Sequence, residues 1–377
     1  MQFRGFNLLR VRGIQIIIDY SWFIIFCLVM YTMAESYFPQ NHRNYAAPQY
    51  WVMGFAAAIL LFASVLVHEL AHSFVALKQG IHVTSIRLFI FGGVSQIASE
   101  PASGRQEFLI AIAGPATSMA LAFFFGMIWL VLIFSDVFAP AAAVIGYIAA
   151  ANGLLAVFNL IPGFPLDGGR LLRAILWDRW NSMPRATKVV SQLGNSFALF
   201  LIVLGVLQFL LTQAIISGLW LIFIGLFMKQ SATGSYQAMM FRQALAGVRI
   251  RQIMTENVVG VDWLTSVDEL VNEYIYKYKF TNYPVFNRGE FVGMASLDAI
   301  KQISKELWAF KQVRDIMTPV EQVPTLRPGD DVTDALARML SNGIGKMPVV
   351  EDGRVVGIVS RRDIMNLFKI KSDLGVA

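Results

Sequence analysis

The chain has 377 residues, 56% of them hydrophobic and only 15% charged, against roughly 25% charged in ordinary soluble domains. Charge is unevenly spread, with 13 Lys/Arg and 8 Asp/Glu in residues 1–229 but 18 and 17 in residues 230–377. A long apolar part followed by a polar one excludes a single soluble enzyme and a disordered chain; Cys27, the one cysteine, excludes a disulfide framework, and a net charge of +6 that lies mostly in the apolar part gives no ground for a nucleic-acid partner.

Arg4, Arg10 and Arg12 precede the apolar run 14–18, and no small-residue cleavage site follows, so no cleavable leader is expected. About 20 apolar residues cross a bilayer. Six such runs are expected, at 20–38, 50–77, 107–134, 139–158, 192–212 and 213–228. Asp136 and the pair Thr212-Gln213 mark short links, so the third and fourth runs, and the fifth and sixth, read as helical hairpins. Lys and Arg lie before the first run, between the second and third, between the fourth and fifth, and after the sixth, while the alternate loops hold only Arg43. This bias predicts both termini on the cytoplasmic side of a plasma (inner) membrane. Segment 81–97 is rich in β-branched and aromatic residues around Gly92-Gly93, which predicts a re-entrant β-hairpin. Segment 159–170 closes the fourth run with Pro162, Pro165 and glycines, and it leaves Asp167 where the span ends. An ionisable residue at such depth is a functional candidate.

The chemistry starts at His68-Glu69-Leu70-Ala71-His72, an H-E-x-x-H inside the second run. Residues four apart share a helix face, so both imidazoles can bind one zinc ion while Glu69 reaches its water. The chain has four histidines, and two of them fall in this motif. A catalytic zinc needs a third protein ligand. His82 lies beyond a break, and Glu100 and Glu107 are acidic alternatives, Glu107 reading better as a cap of the third run. Asp167 is the preferred third ligand, its competing role being the N-cap of a helix over 168–177.

The polar part holds an internal repeat. Ile253-Met254-Thr255 returns as Ile316-Met317-Thr318, Tyr283-Pro284-Val285 as Met347-Pro348-Val349, and Gly293 as Gly357, at offsets of 63 or 64. Short β-rich runs (291–295, 355–359) alternate with amphipathic helix (332–340), so each unit is α/β. The expected domains are a membrane domain over 1–229, a flexible linker over 230–247 with Ser231, Gly234 and Ser235, and repeats over 248–310 and 311–377.

Two resemblances follow. His68-Glu69-x-x-His72, with Asn159-x-x-Pro162 and Leu166-Asp167-Gly168 closing a later span, resembles the site-2 protease family of intramembrane zinc metalloproteases, including Phe91-Gly92-Gly93 and Ala113-Gly114-Pro115. That family implies a polytopic α-helical membrane domain, zinc held by His68, His72 and Asp167, and Glu69 as general base. Asn159 would then donate a hydrogen bond to the substrate, or else satisfy carbonyls of the broken helix. The repeat resembles a tandem pair of cystathionine-β-synthase (CBS) domains, which commonly bind adenosine nucleotides such as ATP or AMP. The segment 357–363 matches the family's ribose-binding run, with Asp363 on the sugar, Ser360 beside it, and Arg361 or Arg362 near the phosphates. In the first unit Ser296-Leu297-Asp298 is one residue short, so one good site is expected. The alternative is a purely structural module that makes a homodimer.

The resemblance implies cleavage of single-span proteins in the lipid bilayer, as in regulated intramembrane proteolysis of anti-sigma factors or other membrane-anchored regulators. A helical substrate must unwind, and a strand in 86–97 could pair with the extended stretch, unless the hairpin only plugs the cavity. A CBS-regulated transporter or channel is the competing function, but it expects polar residues on several spans. A nucleotide-sensing membrane protein with a dead site is disfavoured by the presence of Glu69.

Overall fold

A computed structural model describes residues 5–43, 45–90, 92–97, 100–134, 139–211 and 215–374. Phe91, Asp136 and the Thr212-Gln213 link, all used above, lie outside them. The chain divides into two compact units, Met1–Gln237 and Ala238–Ala377.

The first unit opens with a hairpin that the sequence reading did not anticipate. Strands β1 (Gly5–Val11) and β2 (Ile14–Asp19) pair across a turn in which Arg12 and Gly13 both have positive φ, the geometry that matches strand twist. Strand β2 runs parallel to β3 (Val83–Phe89), which pairs antiparallel with β4 (Gly92–Ile97), giving the order β1-β2-β3-β4. Of the re-entrant hairpin expected in 81–97, the strand pairing alone is thereby established, and it forms half of a larger sheet with β4 at one edge. Ile14, Ile16 and Ile18 alternate inward from β2 and are buried, so the run read only as apolar is a half-buried strand.

Five helices are long and apolar enough to cross a membrane among the described residues: α1 (Tyr20–Asn41), α2 (Ala47–Lys78), α3 (Gly104–Leu132), α4 (Ala139–Asn159) and α6 (Met183–Leu211). Helix α5 (Asp167–Trp180) is shorter and amphipathic. The sixth expected run falls in α7 (Ile215–Leu245), which is not one of the five. Asp19 caps α1 by accepting from the Ser21 N–H, and Ser103 caps α3 by accepting from the Gln106 N–H. Phe123, Val131 and Leu211 are each more than 70% exposed, which is a reasonable outcome only where the surrounding solvent is hydrocarbon. A buried polar tie joins α2 to α4, where Asn152 Nδ2 donates to Ser64 Oγ at 3.1 Å.

Helix α7 continues through the stretch expected as a flexible linker. Within it Ser235 Oγ donates to the Ser231 carbonyl at 2.9 Å, Thr233 Oγ1 donates to Asn195 Oδ1 of α6 at 3.3 Å, and Ala232 is fully buried. A lone glycine costs a helix only about 1 kcal/mol, and packing offsets that.

The second unit shows the repeat in its ladders. Strands β6 (Asn282–Asn287) and β7 (Glu290–Ser296) pair Pro284 with Met294; β9 (Lys346–Glu351) and β10 (Arg354–Ser360) pair Pro348 with Ile358, each residue 64 positions on. Strand β5 (Val261–Asp262) lies parallel to β6, and β8 (Thr318–Pro319) antiparallel to β7. The helical segment 267–278 belongs to the first repeat, α8 (Val332–Ser341) and α9 (Arg361–Asp373) to the second. Each repeat's leading segment sits on the other repeat. Thr255 bridges Ile358 of β10, while Thr318 pairs with Met294 of β7. Val248 and Ile250 pack with Leu326, Val349 and Val359; Val313 packs with Val261, Val285 and Ile300.

Candidate active site and metal centre

Helix α2 brings His68 and His72 to one face, and α5 brings Asp167 to meet them. His68 Nε2 lies 3.1 Å and His72 Nε2 3.2 Å from Asp167 Oδ2, and the two Nε2 atoms are 3.2 Å apart. Both histidines are buried, and the Asp167 side chain is 14% exposed. Asp167 is the first residue of α5, but Leu166 holds the N-cap position and no side-chain cap bond forms. The Asp167 carboxylate is thus directed to the imidazoles rather than to the helix end.

The far nitrogens of both rings are held. His72 Nδ1 lies 2.7 Å from the Ile110 carbonyl, which can only accept, so Nδ1 carries a proton and Nε2 is the nitrogen turned to Asp167. His68 Nδ1 meets Ser118 Oγ at 2.8 Å. Two imidazole nitrogens and a carboxylate oxygen converging at about 3 Å repel one another unless protons or a metal cation are shared among them. Among the described residues His68, His72 and Asp167 form the one group of this kind, with ligand atoms within 4.8 Å of each other. The donor set therefore fits a zinc ion with a fourth position open.

Helix α3 closes over this centre at Gly114, where a Cβ would collide with Nε2 of both His72 and His68. Glu69 points elsewhere. Its Oε2 accepts from Ser95 Oγ of β4 at 2.9 Å, and a Cβ on Gly93 would strike its side chain. Helix α5 is keyed to α3 by a buried ion pair. The fully buried Glu107 accepts from Arg173 Nε at 2.8 and 3.1 Å and from Arg173 Nη2, with Arg170 Nε 3.9 Å away. Glu107 is thus an inter-helix anchor, and Ser103 takes the cap role expected of it. Asn159 ends α4, half-buried, and His82 is exposed.

Comparisons with known proteins bear on this geometry. The profile of Peptidase family M50 matches residues 56–144 and 136–203, and that of the CBS domain matches residues 313–370. The "Putative zinc metalloprotease Rip3" of Mycobacterium tuberculosis is 35% identical over 96% of this chain and 92% of its own length. The "Zinc metalloprotease MJ0392" of Methanocaldococcus jannaschii is 32% identical over 98% of each chain. The chain belongs to peptidase family M50. Among solved structures, the "Site-2 Protease from Methanocaldococcus jannaschii" is 29% identical and covers 62% of this chain and 95% of that one, with a TM-score of 0.43. "CBSX2 in complex with AMP" is 26% identical over 34% of this chain and 98% of that one, with a TM-score of 0.29.

This M50 peptidase is a zinc metalloprotease that carries CBS domains and several helices long and apolar enough to cross a membrane. Its second unit contains a cavity of about 460 Å³ whose walls include Thr255, Phe280, Lys346, Ser360, Arg362 and Asp363. Burial lowers the Lys346 pKa from the usual lysine value, against the opposing pull of Asp363. Its Nζ sits 4.2 Å from the Phe280 ring centroid. Asp363 Oδ2 accepts from the Ser360 N–H at 2.8 Å and from Ser360 Oγ at 2.7 Å, a capping box at the start of α9. Arg361, expected near phosphates, instead donates to the carbonyls of Ile344 and Met339; Arg362 is the arginine on the cavity wall. Asp298 pairs with Lys301 and is not on that wall.

The sequence reading missed Ser118, Ile110, Ser95, Ser73 and the Glu107–Arg173 pair. A signal existed on α3, where Glu107, Ile110, Gly114 and Ser118 recur at three- and four-residue spacing along one face. For Ser95 nothing local marks the role, because its partner lies on another element.

Proposed function

We propose that this M50 peptidase cuts transmembrane segments of single-span proteins, with His68, His72 and Asp167 as zinc ligands and Glu69 as general base. The supporting observation is the convergence of both Nε2 atoms and Asp167 Oδ2, with a carboxylate one residue from His68 left outside the cluster. Zinc, when bound, supplies Lewis acidity to the scissile carbonyl and makes water nucleophilic at neutral pH. Glu69 accepts the proton of the attacking water and delivers it to the leaving amide nitrogen. Asn159, at the end of α4, donates to a substrate carbonyl. Strand β4, at the sheet edge and in contact with Glu69, takes up the unwound substrate as an added strand. Both termini face the cytoplasm of a bacterial plasma membrane, and the substrates are membrane-anchored regulators.

The CBS unit modulates cleavage by binding an adenosine nucleotide in the cavity walled by Lys346, Ser360, Arg362 and Asp363, the two cations facing its phosphates. The test is cleavage of a single-span substrate by purified protein alongside metal analysis. Glu69→Gln should abolish cleavage and keep zinc, because a base is not a ligand, whereas Asp167→Ala should lose both. Full activity in Glu69→Gln would overturn Glu69 as the base, whereas no cleavage by the unaltered zinc-loaded protein would return the chain to a membrane transport reading.

A further inference from the structure

The Glu69 carboxylate is held by a short hydroxyl relay that joins it to the substrate-facing edge of the sheet. Ser95 Oγ donates to Glu69 Oε2 at 2.9 Å and lies 3.1 Å from Ser73 Oγ. A hydroxyl has one proton, and the Ser95 proton is committed to a carboxylate that can only accept. Ser73 must therefore be the donor to Ser95, and the chain runs Ser73 to Ser95 to Glu69. Ser73 is fully buried and lies four residues after Glu69, on the same face of α2, so both ends of the relay belong to one rigid helix. Its middle member belongs to β4.

We infer that Ser95 is a positioning residue for the Glu69 base, transmitting the seat of strand β4 to the catalytic carboxylate. The inference rests on the reading of Glu69 as general base. Two further contacts carry it. Gly93, two residues before Ser95 and so on the same strand face, leaves no room for a side chain against Glu69, so this face of β4 packs directly on the base. Ser95 also stands opposite Ile86 of β3, which is fully buried, so the inner side of the hairpin is anchored while β4 forms the sheet's edge. A peptide paired along that edge keeps β4 seated and the Ser95 hydroxyl on the carboxylate. A displaced β4 loses the bond, and the base regains its rotamer freedom. Base alignment is thereby tied to strand engagement, an economical way to restrict hydrolysis to extended substrate.

The experiment uses the full chain in zinc-loaded proteoliposomes with a single-span substrate, reading kcat, KM and zinc content. Ser95→Ala and Ser95→Cys, the latter nearly isosteric with a weak donor, should each lower kcat about tenfold with KM within about twofold and zinc retained. Ser95→Thr, which keeps the hydroxyl, should recover most of kcat. A purely structural role would leave Thr no better than Ala, and that result overturns the inference. So does unchanged kcat in Ser95→Ala, or a rise in KM alone, which would make Ser95 a strand contact only. Glu69→Gln is measured in parallel. If it still cleaves, the base assignment itself falls; if it is dead while Ser95→Ala is fully active, only the inference falls.

Discussion

Gly114 shows how much one hydrogen atom decides. The α3 backbone passes so close to the imidazoles that a methyl group would collide with both Nε2 atoms. Alanine is the better helix former by about 1 kcal/mol, so Gly114→Ala should not weaken α3 itself. It should instead displace the imidazoles and block the centre. The expected outcome is a zinc content cut at least tenfold, with the metal-free protein also unfolding at a lower temperature because overpacking costs about 1–3 kcal/mol, read by metal analysis and thermal scans. Equal zinc in this variant would mean that α3 can slide away from the histidines. The tie from His72 Nδ1 to the Ile110 carbonyl works on the same helix, holding the ring so that Nε2 is turned to Asp167 and available to a metal once it is unprotonated.

At the scale of elements, the site depends on three helices and one strand being held in register. Helix α5, which carries Asp167 to the histidines, is pinned to α3 through Glu107 and Arg173, a pair with side chains 0% and 12% exposed. Removing one partner leaves the other charge buried and uncompensated, at a cost of about 3–5 kcal/mol. Glu107→Gln should therefore lower the unfolding temperature markedly in detergent and weaken zinc binding through Asp167. The double change Glu107→Gln with Arg173→Met should recover much of the stability, since only the more exposed Arg170 is left without its carboxylate. Failure of the double variant to recover would assign Glu107 a role beyond this pair. Strand β4 carries the second expectation. Proline at β4 positions whose N–H points away from β3 removes a ladder donor without breaking the hairpin. Such variants should bind zinc normally and cleave poorly; unaltered cleavage across the strand would make the hairpin a plug of the cavity.

Over the whole molecule, a metalloprotease unit is followed by a CBS unit whose repeats are interlocked. Because Thr255 bridges the second repeat and Thr318 pairs with the first, each core is completed by the other's leading segment. A boundary drawn at 310/311 would strand Val313 from the Val261–Val285 core it fills. The CBS profile match to 313–370 alone fits a second repeat that keeps more of the family pattern. Nucleotide control is the prediction at this scale. A ligand shifts activity only by its unequal affinity for active and inactive arrangements, and ordinary coupling of ~1–3 kcal/mol is several-fold to about a hundredfold. Calorimetry on the full chain with ATP should show binding that Asp363→Ala weakens, and cleavage with and without ATP should differ several-fold. Because Asp363 also closes the Ser360 capping box, Lys346→Ala is the companion variant that spares the helix start. Binding unaffected by either change would leave the unit as a dimerisation device.

Local pattern determined a large share of this protein. Apolar runs of bilayer length, the i, i+4 histidines and an offset of 63–64 residues are properties of short windows, and each survives whatever the rest of the chain does. The apolar helices, the shared face of His68 and His72 and the repeated unit followed from them, whereas Asp167 meets those histidines from 95 and 99 residues away. Tertiary structure decided the remainder. The hairpin at 5–19 is a stable strand pair because β3 lies alongside it. The stretch expected as a linker is helix because Ala232 is packed away. Arg361 and Arg362, adjacent and chemically alike, differ only in where α9 directs them. Ser95 and Glu69, 26 residues apart, and Glu107 and Arg173, 66 apart, meet through contacts that no window of sequence contains. Periodicity encodes which face a residue occupies, but the partner on that face is set by the packing of elements distant in the chain, and hydrogen bonds that position a carboxylate depend on the partner.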